Sequence, residues 1–254
     1  MATSPLLLIV FLSSLSLIFH PSHSRLTTTY YDKSCPRFTQ IIQDTITNKQ
    51  ITSPSTAAAT LRLFFHDCLV NGCDASVLVS STPFNKAERD ADINLSLPGD
   101  GFDVVVRAKT ALELACPGVV SCADILAVAA RDLVTMVGGP FYTVQLGRKD
   151  ALVSLASTVE GNLPRPTMTV SEIIRIFESR GFSVQEMVAL SGAHTIGFSH
   201  CKEFTNGIYN YSKLQLHRIS LASCVISSDF QHSSLIKDEH AHILLKWNVK
   251  LQAV

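Results

Sequence analysis

The stretch Leu61 to Ser76, LRLFFHDCLVNGCDAS, concentrates residue types that do chemistry. Arg62 and His66 stand four positions apart, a spacing that puts two side chains on one face of a helix. An imidazole moves protons near neutral pH, and a fixed guanidinium stabilises negative charge as it develops. The two together form a catalytic pair rather than a packing motif. The same stretch runs into a tight loop bounded by Cys68 and Cys73, which carries Asp67, Asp74 and Ser76. These are hard oxygen donors. The alternative reading of the loop is an acidic turn that holds no ion.

A second stretch, Val188 to Cys201, reads VALSGAHTIGFSHC. His194 lies just past a helical pattern, between Gly192 and Gly197. Glycine there lets a flat ligand approach the backbone. A neutral imidazole is an ordinary axial ligand for haem iron. Taken alone, a histidine in a glycine-rich turn is more often structural than a ligand. Beside Arg62 and His66 the balance reverses: one histidine holds iron from one side, and a His/Arg pair faces an open position on the other.

The elements that must position these residues are helical almost throughout. Phe38, Ile41, Ile42 and Ile46 recur at helical spacing. Ala57 to Phe65 is rich in alanine and leucine and leads directly to His66. Phe102, Val105, Val106, Leu112 and Ala115 mark another helix, stopped by Cys116-Pro117-Gly118. Ser121 with Asp124 reads as a capping box before Ile125, Leu126, Val128 and Ala129, and Gly138-Gly139-Pro140 ends that helix. Thr169 with Glu172 caps the next, closed by Gly181, and Ser183 with Glu186 repeats the device. Tyr142 to Leu146 reads as one short β piece. Long loops run through Ser80–Gly101 and Gly147–Thr167. The fold class is therefore mainly α, with no internal repeat.

Across the 254 residues the formal net charge is zero, which marks no nucleic-acid or membrane-surface partner. The apolar run Leu6 to Phe19, followed by His20, Pro21, Ser22 and Ser24, reads as a signal peptide over residues 1–24. A buried N-terminal helix is the other reading. A secreted chain may oxidise its cysteines. There are seven, so at least one lacks an intramolecular partner, and no Cys-x-x-Cys pair points to zinc. Cys68 and Cys73 are near enough in sequence to close a small ring; the alternative for all seven is a set of buried thiols. Asn94 and Asn210 head Asn-x-Ser sequons, of which Asn210 is the favoured glycan site; a glycan at neither is the alternative of similar weight.

The motifs LRLFFHDCLVNGCDAS, ACPGVVSCADILA, LGRKDA, NLPRP and LSGAHTIGFSHC, in this order, resemble the plant secretory (class III) haem peroxidases. The resemblance runs from about Thr29 to Lys213. It implies a helical fold with haem b between a distal and a proximal part, and a monomer that reduces hydrogen peroxide at the expense of small phenolic donors. It implies that His66 is the distal base, Arg62 its charge-stabilising partner, Phe65 a wall of the pocket and Asn94 the acceptor for the other nitrogen of His66. His194 is then the axial ligand, and Pro164 lines the donor site. Asp67, Asp74 and Ser76, with the carbonyls of Asp67, Val70 and Gly72, resemble a distal calcium site, with Glu88 fixing a calcium-bound water. Thr195 resembles the first ligand of a second calcium site. The resemblance also implies the bridges Cys35–Cys116 and Cys68–Cys73, a buried Asp124–Arg148 ion pair, and an extracellular, cell-wall or vacuolar destination with no membrane contact after signal cleavage.

After Lys213 the sequence changes character. The peroxidase domain is thus expected over residues 25–213, incomplete on its proximal side, with a divergent tail over 214–254. The family's partner for His194, the rest of the second calcium site and the late cysteine that pairs with Cys122 are missing from that tail, and the pairing of Cys201 and Cys224 stays open. His217, His232, His240 and His242 read as solvated rather than as a metal set. Two other functions compete: an inactive or haem-less remnant, and a calcium-binding disulfide domain without redox chemistry.

Overall fold

The computed structural model describes residues 26–198. The signal-peptide reading, the tail, Asn210, Cys201 and Cys224 lie outside the described residues. Within them six α-helices follow one another: α1 (Phe38–Thr52), α2 (Thr56–Asn71), α3 (Gly99–Ala115), α4 (Cys122–Met136), α5 (Val170–Ser179) and α6 (Val184–Gly192). Each coincides with a segment marked by apolar periodicity, and the intervening loops carry only single 3-10 turns. No helix among the described residues is long and apolar enough to cross a membrane.

α4 is the centre. Every residue from Ala123 to Val134 is buried. Alanines at 123, 127, 129 and 130 keep its girth small, which lets α1, α2 and α3 pack against it closely. Ile42 and Ile46 of α1, Leu63, Phe64 and Leu69 of α2 and Leu112 of α3 fill the space around it with no side-chain exposure above 1 %. Each such side chain contributes about 1.5–3 kcal/mol by leaving water. α3 enters by crossing α2 where only a glycine fits: a Cβ on Gly101 would fall 2.9 Å from the Ala59 carbonyl oxygen.

The caps explain where the helices begin. Thr169 and Glu172 close a reciprocal box on α5, and Ser183 and Glu186 do the same on α6. At α4 the expected box is only half made. Ser121 accepts from the Asp124 amide at 3.2 Å, but the Asp124 carboxylate turns inward. There it accepts from Arg148 Nη1 at 2.9 Å, Tyr31 Oη at 2.8 Å and the Gly147 amide at 2.7 Å. The ion pair with Arg148 is thus buried. The Ser121 amide, which a full box would pair with Asp124, donates to Tyr31 Oη at 3.4 Å, and the Cys122 and Ala123 amides donate to Asp150 at 3.0 and 2.9 Å.

Tyr142 to Leu146 does not form the short β piece its pattern suggests. Only Leu146 pairs, in a single antiparallel bridge with Thr27. One bridge satisfies one residue's amide and carbonyl; the rest of the segment is anchored by side chains, with Tyr142 and Val144 buried. Two disulfides are present, Cys35–Cys116 and Cys68–Cys73. The first ties the loop before α1 to the end of α3. The second closes the end of α2 onto its following loop. Cys122 has no disulfide partner among the described residues, and burial followed by the charge of Asp150 pushes its thiol up to about 11.

Candidate active site

α2 carries Arg62, Phe65, His66 and Asp67 on consecutive turns. His66 is buried, and its Nδ1 lies 2.6 Å from Asn94 Oδ1. The orientation of that amide is fixed from behind, because Asn94 Nδ2 donates to the Glu88 carbonyl at 2.8 Å. Oδ1 is therefore the acceptor and His66 Nδ1–H the donor. The proton sits on Nδ1, and Nε2 keeps its lone pair. Burial lowers the His66 pKa to about 4; the Asn94 bond opposes the shift, and Arg62 and His194 reinforce it. At neutral pH the ring is uncharged and able to accept a proton.

Arg62 is held by a different residue of the same loop. Its Nη1 donates to the Ser96 carbonyl at 2.7 Å and its Nη2 to Ser96 Oγ at 2.8 Å. The pattern of the sequence does not point to Ser96, which lies 34 residues from Arg62.

Glu88 joins this pair to the acidic loop. Besides the carbonyl bonded by Asn94, its carboxylate accepts from Ser76 Oγ at 2.9 Å and from Thr158 Oγ1 at 3.3 Å. Asp67 accepts from the Ala75 and Val77 amides at 2.9 and 3.3 Å, folding the loop back onto the end of α2. Ala75 takes the left-handed conformation at φ 59° to make that turn. Burial, then the charge of Asp74, raises the Asp67 pKa well above the carboxylate range, and burial raises Glu88 as well. Asp67, Asp74, Ser76 and Glu88 are therefore brought together, with Val70 and Gly72 in the same short turn. Among the described residues, no three His, Cys, Asp or Glu side chains gather around one point as metal ligands. A cation there needs backbone carbonyls as well as carboxylates.

His194 follows α6, and its ring meets Phe65 of α2. Its Nδ1 donates to the Leu190 carbonyl at 2.8 Å, one helical turn back. Its Nε2 is buried and has no hydrogen-bond partner among the described residues. Burial lowers its pKa, with Arg62 acting in the same direction. An uncharged imidazole with a buried, unshared lone pair is the state a metal ligand requires. Gly197 has a reason different from the one its sequence context suggests. It has φ +84°, and a Cβ there would fall 2.5 Å from Ala58 Cβ of α2, so the residue is small to let this segment touch α2. A Cβ on Gly192 meets nothing within 4 Å.

The Phe65 ring stands edge-on to His194 with centroids 4.8 Å apart, and it touches Phe177 of α5 at 6.2 Å. Thr195 is exposed, its hydroxyl donating to the Gly192 carbonyl at 2.8 Å. Pro164 is half-buried, next to Arg165, which bridges Asp92 and Glu160 at 3.2 and 3.1 Å. The structure thus gathers Arg62, Phe65, His66, Asn94 and His194 at one place, and leaves Thr195 and Pro164 without a described partner in it.

The sequence pattern of the family described as Peroxidase matches residues 40–239. Among curated relatives from Arabidopsis thaliana, Peroxidase 63 is 68% identical over 203 residues, covering 80% of this chain and 62% of its own length. Peroxidase 31 is 68% identical over 194 residues, covering 76% and 61%, and Peroxidase 65 is 59% identical over 206 residues, covering 81% and 62%. The chain thus spans about six-tenths of the length of the relatives it matches. A match that takes in His66, His194 and the whole of α2 to α6, at these identities, leaves one assignment: the chain belongs to the peroxidase family, among the plant peroxidases.

Proposed function

We propose that the chain is a haem-dependent peroxidase that reduces hydrogen peroxide and oxidises small phenolic donors. The observation that carries this is the buried Nε2 of His194, which has no hydrogen-bond partner among the described residues and lies beside the Phe65 ring, with Arg62 close enough to lower the pKa of both His194 and His66. His194 would hold haem iron; haem, when bound, supplies the redox chemistry of the oxygen–oxygen bond. In the overall reaction hydrogen peroxide gains two electrons and two protons to give two waters, and two phenols each lose one electron and one proton.

The chain's own residues handle the protons and the charge. His66 Nε2 accepts a proton from one peroxide oxygen and returns it to the departing one, while Asn94 holds Nδ1–H and keeps the ring in the right tautomer. Arg62 stabilises the negative charge on the departing oxygen. Phe65 and the apolar surroundings exclude water. The acidic loop of Asp67, Asp74 and Ser76 holds calcium with the carbonyls of Asp67, Val70 and Gly72, and Glu88 conveys that order to Asn94 through its own carbonyl. Thr195 is what the described residues offer to a second calcium, and Pro164 lines the donor approach. Secretion after removal of residues 1–24, and action as a monomer, belong to the same reading.

The competing reading, a remnant that folds without haem, is favoured by one observation. Carbon layers in contact are about 3.5–4.0 Å apart, so a flat macrocycle between two rings needs about 7 Å. Phe65 and His194 are 4.8 Å apart, so haem must separate them to enter. The test is a hemin titration of the full chain, followed by absorption, and then addition of peroxide and a phenol. A sharp haem band, altered by peroxide and restored by the phenol, supports the peroxidase. A folded chain, shown by circular dichroism, that gives no such band establishes the remnant.

A further inference from the structure

The triplet Asn94-Leu95-Ser96 has the form of a glycan acceptor, yet both of its polar side chains are engaged with α2. Asn94 Oδ1 takes His66 Nδ1 at 2.6 Å, and Ser96 takes both terminal nitrogens of Arg62 at 2.7 and 2.8 Å. We propose that Ser96 is a positioning residue for Arg62, so that one three-residue bracket sets the imidazole and the guanidinium in register. The proposal rests on the peroxidase reading for its catalytic consequence, and on geometry alone for the bracket itself.

Arg62 and His66 lie one turn apart on α2, at a distance that side-chain rotation of a long arginine would easily spoil. A planar guanidinium gripped at both Nη atoms loses rotation about its Cζ–Nε bond and about its last side-chain torsion. Ser96 can serve as acceptor because its own hydroxyl hydrogen is directed elsewhere: Oγ lies 3.5 Å from the Ile93 carbonyl, to which it donates. The bracket is itself anchored. Asn94 Nδ2 is bonded to Glu88, and the Leu97 amide donates to the Asn94 carbonyl at 2.9 Å, which closes the turn around Ser96. Leu95, between the two prongs, is 66% exposed, so the turn directs its two polar side chains inward and the leucine outward. With Asn94 2% exposed, the amide that a glycan would need is withdrawn from solvent.

The experiment uses the full chain in three forms: parent, Ser96→Ala and Ser96→Thr. In the hemin-free protein, nitrogen-edited NMR reads rotation of the Arg62 guanidinium. The parent is expected to show separate, slowly rotating Nη signals. Ser96→Ala is expected to average them, and Ser96→Thr, which keeps the hydroxyl, to restore them. In the hemin-loaded protein, stopped-flow mixing with peroxide is expected to be about tenfold slower in Ser96→Ala and restored in Ser96→Thr, with the later phenol step unchanged. Averaged Arg62 signals in the parent, or signals that Ser96→Ala leaves unaltered, overturn the bracket. Separate signals lost on Ser96→Ala in a parent that never reacts with peroxide retain the bracket and overturn the peroxidase reading instead. A peroxide step unchanged by Ser96→Ala in an active parent overturns the positioning role.

Discussion

Asn94 Oδ1 and His66 Nδ1 are 2.6 Å apart, and the same amide is fixed on its other side by the Glu88 carbonyl. This relationship assigns the tautomer of the His66 ring. It also links the base to the acidic loop, since the Glu88 carboxylate takes the hydroxyl of Ser76. A change at the loop therefore has a short bonded route to the base.

Removing the base itself is expected to slow the peroxide step by about 10²–10⁴, the usual worth of general acid–base catalysis. Arg62→Leu is expected to cost about 10²–10³ through lost charge stabilisation. Asn94→Val keeps the ring but leaves Nδ1–H buried and unbonded, so its effect is expected to fall below that of His66→Ala. Stopped-flow rates on the hemin-loaded chain check the order. Near-parent rates in both His66→Ala and Arg62→Leu would remove the pair from the reaction.

The pH dependence of stability has a definite sign at His66. Its folded pKa is about 4 against an ordinary 6.5, chiefly because of burial. The unfolded chain therefore takes up a proton across that window that the folded chain does not. The contribution to stability is intact above about pH 6.5 and declines as pH falls towards 4, by about 3 kcal/mol at 1.36 kcal/mol per unit. Raised carboxyls at Asp67 and Glu88 act oppositely, gaining stability as pH falls. The residue's share is therefore read as a difference. Urea unfolding of the parent and of His66→Phe at pH 7.5 and 4.5 should show the parent losing more on acidification. Parallel losses in the two proteins would contradict the assignment.

The two bridges should differ in what they contribute. Cys35 and Cys116 are 81 positions apart and Cys68 and Cys73 only 5. Restricting the unfolded chain is worth about 4.5 kcal/mol for the long loop and about 2 kcal/mol for the short one. The paired Cys→Ser variants, unfolded in denaturant, should rank in that order. The short bridge should instead show its loss near the site, as weaker protection of the Asp67–Val77 turn in hydrogen exchange. A larger stability loss for the short bridge would mean that native packing around it, not chain entropy, dominates.

The helices were legible because their causes are local. Thr169 with Glu172 and Ser183 with Glu186 place donor and acceptor within one turn, so the pattern and the bond coincide. Asp124 was misleading for the same reason: its spacing from Ser121 suits a cap, but Arg148 and Tyr31, distant in sequence, outcompete the local amide. Asp150 caps α4 from 27 residues beyond the Ala123 amide, and Ser96 grips Arg62 across 34 residues. Neither leaves a periodic or spaced signal. Tyr142 to Leu146 alternates like a strand because it is anchored on one side, yet it has a bridging partner only at Leu146. His66 and His194 stood out through their surroundings, whereas the contact between Phe65 and His194 depends on how two segments meet.

That contact supports the last prediction. The Phe65 ring occupies the space in front of His194 at 4.8 Å and is buried to 7% exposure. On the proposed function, haem would compete with it for the space beside His194. Phe65→Ala removes the competitor, and it also removes a core side chain worth about 3–5 kcal/mol of stability. The two effects have opposite signs and separate readouts. Urea unfolding of the hemin-free variant should shift to lower denaturant. Hemin titration under native conditions should give faster and tighter uptake than in the parent, because less contact has to be broken on entry. Phe65→Leu should fall between the two in both measurements, since it keeps bulk but not the ring edge. Weaker hemin uptake by Phe65→Ala, in a variant shown to be folded, would mean that Phe65 supports haem and that its contact with His194 opposes nothing.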